Sequence, residues 1–214
     1  MLNCNHKTKN KEKFMKQSEY QTIKDLNYLE YCDYLQNKYG IGLGFYFTKS
    51  WNKNNKVSRT KEGLFVHHKY EDHAIMLSES KYACNNPYEW QSAENLVYCD
   101  YLEHLFLHIL ICENPAKDKN AKENVGIGGV INYIVPYLND LYSGWKAGKS
   151  WINNCFDLVK DDKDVYLTLL KRFKSTCNNN TAYSNDCLFT SFNDVYGYWN
   201  INNNSLLFDE INAL

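Results

Sequence analysis

Apolar residues recur along this chain with two different periods. Over residues 101–113, Leu102, Leu105, Phe106, Ile109 and Leu110 fall three or four apart, the spacing of one helix face. Asp100 with Glu103 three residues on predicts a capping box at the start of that helix, and Pro115 lies just past its end. Upstream, residues 64–68 (LFVHH) combine aromatic and β-branched residues and predict a short strand. A second short apolar run begins at Asn95-Leu96-Val97. Residues 18–39 predict one helix, with Ile23, Leu26, Leu29, Tyr31 and Leu35 on its apolar face and Gly40 able to end it. Residues 114–124 are polar and read as a linker. Residues 125–142 predict a helix kinked or interrupted at Pro136. Its Gly126, Gly128 and Gly129 lack the spacing and the lysine of a phosphate loop and read as close-packed or flexible positions. Two amphipathic segments follow at 145–160 and 164–175. A polar loop spans 177–186, and Leu206, Leu207 and Phe208 are expected to pack near the end. The pattern predicts an α+β fold, mainly helical, in three stretches (1–62, 63–113 and 114–214) packed as one compact unit.

Charge changes this picture in one respect. The chain of 214 residues carries a net charge of −1. Residues 1–62 hold twelve Lys/Arg against six Asp/Glu, whereas the remainder holds twelve against nineteen. The N-terminal third is therefore the natural surface for an anionic partner. Residues 1–16 alternate lysine with polar residues without an apolar period and read as a flexible basic arm. Residues 41–63 interleave Phe45, Tyr46, Phe47 and Trp51 with Lys49, Lys53, Lys56, Arg59 and Lys61. That mixture suits a nucleic-acid surface, where cations meet phosphates and rings stack on bases. It equally suits a loop whose aromatics pack on the core. The eight cysteines show no metal-ligand spacing, and as buried reduced thiols they fit a cytoplasmic protein. A Cys177–Cys187 disulfide has no independent support. The N-terminus has no apolar signal-peptide core, and the apolar run near 105–112 is too short to span a bilayer.

Histidine spacing carries the candidate chemistry. His104 and His108 are four apart, so on a helix they lie on one face and can address one ion. His67 and His68 are adjacent on the predicted strand and so point to opposite sides. One can face a metal while the other stays free. His6 and His73 have no such context and read as surface residues. Trp90, Trp145, Trp151 and Trp199 read as core or interface anchors.

The motif VHH at 66–68, the ENLV run carrying Asn95, and His104 nine residues after that asparagine resemble the HNH endonucleases, the ββα-metal or His-Me finger group. His108 adds the H-x-x-x-H helix end of the colicin-type members. The resemblance covers about fifty residues, and its motifs gain specificity from occurring together and in order. It implies a small ββα-metal module flanked by N- and C-terminal helices. It implies that His67, His104 and His108 hold one divalent metal ion (Mg, Mn, Ni or Zn), that His68 is the general base, and that Asn95 fixes the loop carrying His68. The implied activity is hydrolysis of DNA phosphodiester bonds to 5′-phosphate and 3′-hydroxyl ends, with Lys49, Trp51, Lys53, Lys56, Arg59 and Lys61 as nucleic-acid contacts. The chain departs from many members in lacking paired C-x-x-C motifs, so no structural zinc ribbon is expected. Two other readings fit the same residues. One is a ribonuclease or toxin using the same site. The other is a catalytically silent HNH-fold module that binds a protein partner, such as an inhibitor of a host enzyme, for which the acidic remainder of the chain speaks.

Overall fold

The computed structural model describes residues 15–192 and 201–214. The basic arm as far as residue 14, with His6 and Cys4, and also Trp199, lie outside the described residues. The elements run in the order α1 (Gln17–Ile23), α2 (Tyr28–Tyr39), β1 (Phe65–His68), α3 (Ser80–Ala83), β2 (Leu96–Cys99) and α4 (Tyr101–Glu113). Then come α5 (Ile127–Gly129), a wide π turn (Val130–Ile134), α6 (Val135–Tyr142), α7 (Ser150–Val159), α8 (Lys163–Cys177) and α9 (Ile201–Asn212). The fold is mainly helical with one small antiparallel sheet, in which Phe65 pairs with Cys99 and His68 with Leu96.

Helix α4 is the axis of the molecule. Leu102, Leu105, Phe106, Leu107, Ile109, Leu110 and Ile111 are all buried on it, so it is enclosed on every side. Its start is the predicted capping box: the Asp100 carboxylate accepts the Glu103 backbone N–H at 2.8 Å, and Glu103 accepts that of Asp100 at 2.8 Å. Helices α2, α7 and α8, the sheet and the π turn all pack against it. One apolar core runs from Met15 to Ile211 through all three stretches of the chain.

Four local expectations need correction. The helix expected over 18–39 is two helices, because the Asn27 side chain caps a new start with Glu30 in a second capping box. Leu29, assigned to its apolar face, is 58% exposed; Tyr28, Tyr31, Cys32, Leu35 and Tyr39 form that face instead. Leu206 is exposed, while Leu207 is buried and Phe208 packs on the core. His73 is not a free surface residue: its Nδ1 lies 2.5 Å from the Asp72 carboxylate and its ring lies against Tyr70 and Trp90. Elsewhere the pattern read true. Gly40 ends α2 with a φ of 86°. The helix through 127–142 widens into its π turn immediately before Pro136, where a regular turn would clash with the proline ring. Cys177 and Cys187 are both free.

Candidate metal centre

Strand alternation separates the two adjacent histidines. Phe65 and His67 face α4, whereas His68 turns toward Tyr46, its ring edge-on at 4.6 Å. The chain then tightens into a 3₁₀ turn, Lys69–Asp72, which folds Glu71 back beside the strand it has just left. From the other side, α4 presents His104 and His108 one turn apart. The result is a cluster of His67, Glu71, His104 and His108 whose ligand atoms all lie within 4.8 Å of one another.

The atoms that meet are identifiable. His67 Nε2 is hydrogen-bonded to the Tyr28 hydroxyl at 2.8 Å, which leaves Nδ1 facing Glu71 Oε2 at 3.5 Å. His108 Nε2 lies 3.4 Å from the same carboxylate oxygen and 3.1 Å from His104 Nε2. Metal–nitrogen bonds of about 2.0–2.1 Å in a tetrahedron give ligand–ligand edges of about 3.3 Å, so these three spacings suit one ion. His67 Nδ1 is moreover buried without a hydrogen-bond partner, as is expected of a lone pair reserved for a cation. The donors fit a divalent metal, and the Tyr28 contact is the outer-shell bond that usually fixes a ligating imidazole.

Electrostatics agree with this. Burial pushes the His67 imidazole down to about 3 and lowers His104 and His108 as well, so all three are neutral at physiological pH, the form that ligates a metal. Burial alone would raise the Glu71 carboxyl. The attraction of the surrounding imidazoles in their protonated form, His67 first, outweighs it and holds Glu71 below the usual carboxylate range, so Glu71 is already ionised at the higher pH where those rings are neutral. Among the described residues its ion partners are histidines only. The site is thus an anionic pocket of neutral nitrogen donors.

His68 lies beside the cluster rather than in it. It is fully buried, with Nε2 3.0 Å from Gln91 Oε1 and Nδ1 3.5 Å from Glu71 Oε1. Asn95 donates to the Glu89 carbonyl at 2.9 Å and to Ser92 Oγ at 3.1 Å. It therefore braces the segment that carries Gln91, one step removed from His68. Glu71 is the member that the histidine spacing does not point to; the sequence offers only an acid three residues after the last histidine of the strand.

A cavity of about 760 Å³ opens onto Glu71, His104 and His108. The glycine-rich start of the 127–142 helix lines it beside His108. Gly129 is packed so closely on the His108 ring that any side chain there would overlap it, and Gly126 sits against the His108 carbonyl with a φ of +83°. Of the six predicted nucleic-acid contacts, Lys53 and Arg59 line this cavity; Lys49, Trp51, Lys56 and Lys61 do not. Arg59 is held by Glu62 through two hydrogen bonds and donates a third to the Tyr39 carbonyl at 2.7 Å. Tyr46 and Phe47 are buried in a small second core, Trp51 packs against it, and Lys49 lies over the Tyr88 ring at 3.8 Å. The aromatics of 41–63 are thus largely packed, while Lys49, Lys53, Lys56 and Lys61 are exposed.

Compared with known proteins, the chain matches no protein family, no curated protein and no solved structure. Among the described residues, no helix is long and apolar enough to cross a membrane.

Proposed function

We propose that this chain is a divalent-metal-dependent endonuclease of the HNH type, hydrolysing phosphodiester bonds in DNA. The observation that carries the reading is the convergence of three neutral imidazoles and one carboxylate, delivered by a strand, a tight turn and the helix that follows the second strand. When bound, a divalent ion would supply charge neutralisation at the phosphate and an acidified water. The chain's own residues do the rest. His67, His104, His108 and Glu71 hold the ion, and Tyr28 sets the His67 ring so that Nδ1 points inward. His68 acts as the general base. Gln91 Oε1 can only accept, so Nε2 carries the proton of the neutral ring. The lone pair that takes the proton from water is Nδ1, and Glu71 Oε1 beside it stabilises the ring once protonated. Asn95 keeps the Gln91 segment in place.

Plasmid cleavage by the purified protein with Mg²⁺, Mn²⁺, Ni²⁺ or Zn²⁺, beside His68→Ala, tests this. Metal-dependent cutting that His68→Ala abolishes is the expected result. A folded, metal-loaded protein that cuts neither DNA nor RNA sinks the reading.

One observation favours a second reading, the catalytically silent module. Counting Glu71, the donors number four, and a complete tetrahedral set is how structural zinc is held. With Co²⁺ in the site, an absorption spectrum indifferent to added azide would mark that closed arrangement.

A further inference from the structure

The cluster is sunk below the surface, and what surrounds it is not a cationic track. His67 is fully buried, His108 is 5% exposed, and the Glu71 side chain is 15% exposed. The way in is the cavity, whose walls are largely aromatic and aliphatic. Phe65 lies nearly parallel to His104, with ring centroids 6.0 Å apart and an interplanar angle of 26°, and Trp151 meets Phe65 edge-on at 6.4 Å. Tyr46, Tyr101, Tyr137 and the half-exposed Tyr133 also belong to the aromatic lining, and Asn54, Asn55, Asn124 and Asn132 add amides. Lys53 is the cation of this lining that has no ion pair among the described residues, and Glu79 lies there too.

We infer that this site takes an unpaired nucleotide of a single strand, with its base against Phe65 and Trp151 and its phosphate at the His/Glu cluster; this rests on the nuclease reading above. Three observations carry it. A duplex is a stiff rod whose recognition rests on many phosphate contacts, yet Lys49, Lys56 and Lys61 lie off the cavity and Arg59 is already neutralised by Glu62. A cavity of about 760 Å³ is of a size to enclose one nucleotide. An aromatic ring directly beside a metal-ligand candidate puts a stacking platform within one nucleotide's reach of the phosphate site. A duplex is too wide to enter a cavity of this size, whereas one unpaired nucleotide can enter and bring its phosphate to the recessed cluster.

The test measures binding by His68→Ala with Mn²⁺ by fluorescence anisotropy, using a labelled single-stranded oligonucleotide and the duplex of the same sequence, then cleavage of both by the wild type with Mn²⁺. The expected result is single-strand binding at least roughly ten-fold tighter than duplex, weakened roughly five-fold or more by Trp151→Ala, as loss of one stacked base predicts. Tyr133→Ala, at a half-exposed position that folding tolerates, should weaken it in the same direction if Trp151→Ala fails to fold. Equal binding and equal cutting of the two substrates would overturn the single-strand site and leave the nuclease standing. Cutting of neither substrate by a metal-loaded protein would overturn both.

Discussion

Helix α4 carries two buried polar clusters, and they are built on opposite plans. At its first turn, Glu103 and Asp100 are fully buried, and Lys38 reaches in to bind Glu103 Oε1 at 2.7 Å and Glu19 Oε1 at 2.5 Å, with Tyr39 donating to Glu103 at 3.1 Å. Burial pushes the Asp100 carboxyl up to about 6 and Glu103 up as well, while Lys38 pulls both the other way. The chain supplies its own cation there. On the face of α4 toward β1, Glu71 meets imidazoles that burial keeps neutral, and among the described residues it has no Lys or Arg partner. A buried carboxylate without a cation is costly. The first cluster is finished by the protein alone; the second has a donor set that could hold an ion from outside.

Matched substitutions would break this contrast if it is wrong. Lys38→Met strands two buried carboxyls and should cost about 3 kcal/mol or more in urea denaturation. Glu71→Gln removes the uncompensated charge of the other cluster. It should leave metal-free stability nearly unchanged or slightly raised, while abolishing the thermal stabilisation that added Zn²⁺ or Ni²⁺ gives the wild type. Equal losses from the two substitutions would mean that Glu71 already has its counter-ion.

Tyr28→Phe sharpens the comparison at a smaller scale. It keeps the ring and removes only the hydroxyl that fixes His67, so metal affinity by calorimetry should weaken roughly 10- to 100-fold. An unchanged affinity would show that the hydroxyl does not set the ligand.

The smallest effect is in pH. His104 is held well below its ordinary value of 6.5 by burial, with the His108 and His67 rings acting the same way and Glu71 opposing. The unfolded chain takes up the proton near 6.5 while the folded one does not, so this histidine's contribution to stability is present above that pH and lost as the pH falls below it. The metal-free wild type should lose about 1 kcal/mol relative to His104→Gln between pH 7 and pH 5.5, by parallel denaturation curves. The difference between the two proteins cancels Asp100 and Glu103, whose raised values work in the opposite direction. Parallel pH profiles would place His104 in water.

What the sequence disclosed follows how local each feature is. Helix α4 and its cap were legible because Asp100 and Glu103 satisfy each other three residues apart. The break before α2 is equally local, but the Asn27–Glu30 box lies inside a continuous apolar period that masks it and that Leu29 does not join. The opposed directions of His67 and His68 follow from strand geometry alone. Glu71 was not legible in the same way, since its place depends on a tight turn inside an irregular loop with no periodic signal. Nor was the cavity, whose walls come from Tyr46 at one extreme and Ala182 at the other.

The bare backbone at Gly129 has a wider meaning. The donors all lie between residues 67 and 108, yet the room for the His108 ring is made by a glycine on a helix that comes after the linker. The fifty-residue stretch that carries the candidate ligands is therefore not a cassette. Transplanted into another protein, it would bring its donors and leave behind the wall that keeps one of them upright. Ligand identity and ligand posture are written in different halves of the chain and can only be inherited together.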